Sequence, residues 1–201
     1  MIVFVGGHSR KIGKSSVVAA LIRALREARW TALKVSRHRH SDTSAEAVIR
    51  EQIRADSTDS GRYLQAGASR SFWVDAEGDE LVTALPAIRR ILHAGENCIV
   101  ESNSLVAWVR PDLYLVVVDP SVGEWKASAR KHLDQADAFI VVNRGLEDGG
   151  NLRLPETRPH FLVRPPDYAS QELIEFVARR LTLQAGCGNA TSRESIPPFS
   201  R

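Results

Sequence analysis

The start of the chain constrains it most. Ile2-Val3-Phe4-Val5 is a short, wholly apolar run closed by Gly6-Gly7. Such a run, bounded by glycines, reads as a strand buried on both faces, as in a parallel sheet. Residues 14–28 then carry Val17, Val18, Leu21, Ile22 and Leu25 at helical spacing, with Arg23, Arg26 and Glu27 on the other side. That is an amphipathic helix. Trp30 to Val35 reads as a second strand, so the chain opens with a strand, a glycine-containing loop, a helix and a strand.

The same alternation continues. Ala45 to Arg54 is expected to be helical, and Asp56-Ser57-Thr58-Asp59-Ser60 offers capping residues for another helix start. Strands are expected at Ser71–Val74, Cys98–Val100, Leu113–Val118, Ala138–Val142 and His160–Val163. Helices are expected at Leu81–His93, Gly123–Ala136 and Gln171–Leu183. Apolar strands alternating with helices predict an α/β fold of three layers, a mostly parallel sheet with helices on both faces. One domain is expected over residues 1–183. Residues 184–201 hold Gly, Asn, Ser and Pro with little apolar content and are expected to form a disordered tail.

Composition narrows the class. The chain has 201 residues, 43% hydrophobic and 25% charged, which suits one globular domain. The net charge is only +3, and the basic run at Arg37, His38, Arg39 and His40 is short, so no nucleic-acid partner is expected. Two cysteines, Cys98 in an apolar run and Cys187 in the tail, do not make a disulfide framework. No signal-peptide pattern or membrane-length apolar stretch is visible, so the expectation is a soluble cytoplasmic protein.

The loop between the first strand and the first helix carries chemistry. It reads Gly6-Gly7-His8-Ser9-Arg10-Lys11-Ile12-Gly13-Lys14-Ser15-Ser16. A loop in this place can wrap a phosphate with its backbone N–H groups, aided by the positive end of the helix dipole. Gly7, His8, Ser9, Ile12, Gly13, Lys14, Ser15 and Ser16 would line such a cradle. Lys14 would bridge the β- and γ-phosphates of a nucleoside triphosphate, GTP or ATP, and the Ser15 hydroxyl would ligate Mg²⁺. His8 stands where the strict pattern has glycine, and Lys11 and Ile12 replace small residues. The plain alternative is a chance Gly-Lys-Ser at a helix start, and placement after a buried strand counts against it. Arg10 and Lys11 either supply charge to a transition state, lie in solvent, or reach across a dimer interface.

Two strand ends add to this. Cys98-Ile99-Val100 closes on Glu101, and an acid at the end of an apolar strand can hold Mg²⁺ or orient its waters. The alternative is that Glu101 merely begins a loop. Val141-Val142 is followed by Asn143 and Arg144, at the edge where open α/β sheets bind ligands. Asn143 could read a purine edge or simply end its strand. The guanine signature would have Lys after the Asn and Asp two residues further on; here Arg144, Gly145 and Leu146 follow.

Taken in order, these motifs resemble the molybdopterin-guanine dinucleotide biosynthesis protein B family of P-loop NTPases, within the signal-recognition, dethiobiotin-synthetase and ParA-like class. Besides the loop and Glu101, the resemblance rests on Lys34-Val35-Ser36-Arg37-His38-Arg39-His40-Ser41-Asp42 and on Asp59-Ser60-Gly61-Arg62 with Ala66-Gly67-Ala68. It covers about residues 1–145. It implies GTP and Mg²⁺, slow hydrolysis or an accessory role in molybdenum-cofactor assembly, and a homodimer. A molybdenum-cofactor enzyme or a nucleotidyltransferase is the implied protein partner. Lys34, His38, His40, Asp59 and Arg62 fall in the matched segments as candidate substrate residues, and Asp59 as a candidate to face Mg²⁺. Ser102-Asn103-Ser104 departs from the glycine usual after the strand-end acid. Ser9 stands where the ParA-like branch has a signature lysine.

His38 and His40 are two apart, so an extended segment puts both on one face. With Asp42 they could bind a metal, act as a switch loop sensing the γ-phosphate, or lie in a solvated loop. Three functions therefore compete: a slow GTPase or GTP-binding accessory factor, an ATP-dependent small-molecule kinase or ligase, and a nucleotide-gated binding module.

Overall fold

The structure, a computed structural model, describes residues 1–36, 47–76, 78–122, 132–145 and 154–188. Strand β1 (Ile2–Gly7) leads into α1 (Lys14–Ala24), and β2 (Trp30–Ser36), β3 (Val48–Gln52), α2 (Asp59–Ala66), β4 (Arg70–Asp75) and α3 (Asp79–Ala94) follow. Then come β5 (Asn97–Glu101), β6 (Leu113–Val118), β7 (Ala138–Val142), β8 (His160–Val163) and α4 (Gln171–Gly188). The strands form one sheet in the order β3-β4-β2-β5-β1-β6-β7-β8. Every pairing is parallel except β3 with β4.

Alternate residues of each strand face opposite sides, and the two sides carry separate cores. Val5, Ala32 and Ile99 lie under α1, α2 and α4; Phe4, Leu33 and Val100 lie under α3. The expected three-layer α/β fold is therefore present, with β1 between β5 and β6 at its centre. No described helix is long and apolar enough to cross a membrane.

One expected element has another form. Residues 48–52, expected within a helix over Ala45–Arg54, are the antiparallel edge strand β3. Cross-strand pairing outweighs local propensity there. Glu51 holds Arg70 of β4 through two hydrogen bonds of 2.7 and 2.8 Å, and the Arg50 guanidinium lies 5.9 Å from the Trp73 ring centre. Of the helix expected over Gly123–Ala136, residues 123–131 lie outside the described residues, and Leu133–Gln135 is a 3₁₀ turn. Helix α4 runs to Gly188, beyond the boundary expected at Leu183.

Helix α2 begins where the Asp56–Ser60 run predicts. Thr58 is its N-cap and accepts from the Gly61 N–H at 3.1 Å, and Asp56 in turn accepts from the Thr58 N–H at 2.9 Å. The capped turn closes tightly over Gly61, where a Cβ would meet the Asp56 side chain and lie 2.6 Å from its backbone nitrogen. Helix propensity alone favours Gly61→Ala by about 1 kcal/mol, whereas overpacking costs about 1–3 kcal/mol. We expect Gly61→Ala to lower the urea midpoint of unfolding; an unchanged or raised midpoint would show that the turn opens without loss.

Candidate functional site

The strand register sets a row of side chains at the carboxyl edge of the sheet. Val5 of β1 pairs with Glu101 of β5, and Glu101 pairs with Lys34 of β2. Lys34 and Glu101 share the face of Ala32 and Ile99, beneath α1 and α2. Ser15 lies in the first turn of α1, and its Oγ donates to Glu101 Oε2 at 2.7 Å. Asp59 opens α2, and Tyr63 follows one turn later on the same side. The Tyr63 hydroxyl donates to Glu101 Oε2, and Lys34 Nζ donates to Asp59 Oδ2. Lys34 Nζ also donates to both Glu101 oxygens, at 3.2 and 3.3 Å, and to Ser15 Oγ at 3.3 Å. Arg62 reaches Asp59 Oδ1 at 3.4 Å and Ser16 Oγ at 3.2 Å.

Burial and neighbouring groups together set the protonation of Tyr63 and Asp59. Glu101 is 6% exposed and Tyr63 fully buried. Burial first, and the adjacent Glu101 carboxylate second, push the Tyr63 phenol well above its usual value, so it remains a donor. At Asp59, burial works to raise the carboxyl. The hydrogen bond and charge of Lys34, with help from Ser15 and Arg62, outweigh it, and Asp59 is held below the usual range.

The loop is shaped around Lys14. A Cβ on Gly7 would lie 2.7 Å from Ile12 Cδ1 and 2.8 Å from Lys14 Cδ, so glycine lets the lysine stem cross the end of β1. Lys14 Nζ donates to the Ser9 carbonyl at 2.6 Å. Gly13 has a φ of 97°, and a Cβ there would meet the Tyr168 ring at 2.6 Å. It caps α1 with no side-chain hydrogen bond. Ile12 is fully buried and belongs to the core beneath α1, whereas Arg10 and Lys11 are exposed. His8 is also buried; its backbone N–H bonds Val117 of β6 at 3.3 Å and its Nε2 donates to the Val122 carbonyl at 3.0 Å. Burial lowers the His8 imidazole, which keeps it neutral. Asn103 clamps the loop from the β5 side. It accepts from Gly7 N–H and donates to Gly7 C=O, both at 2.8 Å.

On the β6 side, Asp119 accepts from Arg144 Nε at 2.6 Å and from Ser121, and Arg144 also donates to the Lys11 carbonyl at 3.4 Å. Asn143 turns its Oδ1 to the Gly145 N–H at 2.7 Å, closing its own turn. The structure thus gathers Lys14, Ser15, Ser16, Lys34, Asp59, Arg62 and Glu101 about one edge, with Arg144 reaching the loop from the other side. His38 and His40, with Asp42, lie outside the described residues. The donor set Ser15 Oγ, Asp59 and Glu101 is all oxygen, the chemistry a hard cation such as Mg²⁺ takes.

No protein-family model matches the sequence, and no curated protein matches it. Solved structures do. LpxK of Aquifex aeolicus in complex with ATP superposes with a TM-score of 0.53 at 16% identity, over 80% of this chain and 53% of that one. HypB of Helicobacter pylori in complex with nickel gives 0.52 at 16% identity, over 96% of this chain and 91% of that one. The signal recognition particle 54 kDa protein of Aeropyrum pernix with GDP gives 0.49 at 17%, over 92% and 46%. The chain shares with LpxK and HypB the fold seen here, a mostly parallel α/β sheet with helices on both faces. The chain spans about half the length of the LpxK chain it matches.

Sequence reasoning missed Tyr63, Asn103, Asp119 and Tyr168. Two of them had a signal. Tyr63 is four residues after Asp59, and Asp119 ends an apolar strand as Glu101 does. Nothing in one sequence marks Asn103 or Tyr168, because their partners are glycines remote in the chain.

The Asp119–Arg144 pair gives a pH test. Burial works to raise Asp119, but Arg144 and Ser121 outweigh it, and the folded carboxyl lies below its ordinary value. The unfolded chain then binds the proton more readily, so this stabilisation is present above the ordinary carboxylate pKa and is lost as pH falls through the folded one. Arg144→Met should cost about 2 kcal/mol near neutrality, the scale of a buried group left short of a partner. The deficit should shrink in acid, read by urea unfolding from pH 7 to pH 3. A deficit that stays constant over that range would show that the pair does not titrate with folding.

Proposed function

We propose that the chain binds a nucleoside triphosphate with Mg²⁺ at the β1–α1 loop. The carrying observation is that the loop lysine, the α1 serine and two carboxylates from separate elements meet at one edge of the sheet. Lys14 would contact the β- and γ-phosphates; the loop N–H groups and the start of α1 would cradle them. Mg²⁺, which would supply charge neutralisation at the phosphates, fits among Ser15 Oγ, Asp59 and Glu101. Tyr63 would hold Glu101 in place, and Asn103 would hold Gly7. Exposed Arg10 and Lys11 would add charge at the loop rim.

GTP is the favoured nucleotide, following the family resemblance, with slow hydrolysis or an accessory role in molybdenum-cofactor assembly as the activity. A second reading is an ATP-dependent small-molecule kinase or ligase. It is favoured by the ATP in the Aquifex protein and by the missing Asp of the guanine signature after Asn143. The resemblance also supports a homodimer meeting across the nucleotide; light scattering with nucleotide present should then give twice the mass of the chain, and a strict monomer at high concentration would remove it.

Calorimetric titration with GTP and ATP, each with and without Mg²⁺, separates these readings. Lys14→Ala should weaken triphosphate binding at least about tenfold, because one hydrogen bond to a charged group contributes about 1.5–3 kcal/mol. Ser15→Ala should reduce Mg²⁺-dependent affinity more than Mg²⁺-free affinity. Unchanged affinity in Lys14→Ala would overturn the phosphate-loop assignment.

A further inference from the structure

The Lys34 ammonium lies at the centre of the oxygen set. It donates to Ser15 Oγ, to both oxygens of Glu101 and to Asp59 Oδ2, the three residues that fit Mg²⁺. A Mg²⁺ ion bonds oxygen at about 2.0–2.1 Å, and an ammonium bonded to the same oxygens fills the same space. We propose that Lys34 is a built-in counter-cation that occupies the metal position in the nucleotide-free protein and gives it up when the metal arrives with the nucleotide. The inference rests on the phosphate-loop reading and adds to it how the site is regulated.

Three observations carry it. The register of β2 against β5 pairs Lys34 directly with Glu101, so the contact is set by the sheet and not by a wandering surface chain. The Lys34 side chain is only 14% exposed and that of Glu101 only 7%. Glu101 is buried and Asp59 is partly exposed, its side chain 33% accessible, and two carboxylates sharing one cation in this way repel if that cation is removed. Lysine suits an exchangeable cation, since its compact charge rides on a flexible four-carbon stem and can swing away without a planar fork to re-seat.

The charges explain why exchange would wait for the nucleotide. In the structure Asp59 and Glu101 face Lys34 and Arg62, two anions against two cations. Divalent metal alone would leave that set with excess positive charge. A triphosphate reverses the balance, and the displaced Lys34 ammonium then has phosphate oxygens within the same edge of the sheet to bind. Free metal should therefore bind weakly, and metal and nucleotide should bind together.

Mn²⁺ titration followed by electron paramagnetic resonance, without nucleotide, tests the proposal. Lys34→Met should bind Mn²⁺ at least about tenfold more tightly than the wild type, a difference of about 1.4 kcal/mol. The gain should vanish in Lys34→Met/Glu101→Gln, which locates the metal. In EDTA, Lys34→Met should melt below the wild type and recover with added Mg²⁺, while Mg²⁺ alone should barely move the wild type. Lys34→Gln, one atom shorter and with a donor but no charge, gives the same comparison if the methionine variant does not fold. Equal Mn²⁺ affinity in wild type and variant overturns the counter-cation. Failure of every protein to bind Mn²⁺ even with GTP or ATP present overturns the nucleotide-site reading instead.

Discussion

A carboxylate buried at the end of a central strand costs several kcal/mol unless its oxygens are satisfied. Glu101 meets that condition by drawing in a hydroxyl from α1, a phenol from α2 and an ammonium from β2. Those donors tie both helices to the carboxyl edge of the sheet at one point. The first turn of α1 carries Lys14 and Ser15, and the first turn of α2 carries Asp59 and Arg62. Any movement of Glu101 therefore moves the acidic and basic halves of the site together. This coupling makes the edge a unit, although Ser15 and Glu101 are 86 residues apart in the chain.

The loop itself departs from the simplest phosphate-loop pattern, and the departures have structural compensation. His8, where glycine is usual, is buried and neutral, and its backbone N–H extends the bonding of β1 to β6. Ile12 is driven into the core, which anchors the loop from below, while Arg144 holds Lys11 from the β7 side and Asn103 holds Gly7 from the β5 side. A loop fixed at three points can tolerate large side chains, provided Gly7 and Gly13 keep the space that Lys14 and Tyr168 need.

Most of the sheet was legible because its strands are continuous apolar runs, and burial on both faces demands that composition. The expected β7 and β8 match the structure residue for residue. Strand β3 was not legible. It lies at an edge, half exposed, and its sequence Val48-Ile49-Arg50-Glu51-Gln52 mixes helix-forming and strand-forming residues; only the partners on β4 decide between them. The site shows the same division. Lys14, Ser15 and Glu101 stand out by their place after strands. Lys34 and Asp59 appear only as members of family-like segments, since their importance comes from a register and a helix start that bring them together. Tyr63 carries only the weak signal of lying one helical turn after Asp59, because a buried tyrosine on a helix is ordinary until its hydroxyl is seen to meet a carboxylate.

The distribution of charge suits the proposed site, with acids paired inside and basic residues exposed at the loop. Among the described residues, Asp59 and Glu101 are matched by Lys34 and Arg62, and Asp119 by Arg144. Arg10 and Lys11 instead face solvent at the tip of the loop. Two positive charges are thus exposed at the loop tip, with Lys14 Nζ bonded to the Ser9 carbonyl of the same loop and the positive end of the α1 dipole beside it. Pairing inside and excess outside do different work. The internal pairs remove the repulsion that would otherwise open the edge, and the external excess favours anionic ligands over neutral ones before any specific contact forms. Under the proposed exchange, a ligand would be accepted by a change of partners among side chains already in reach, with the sheet left as it is.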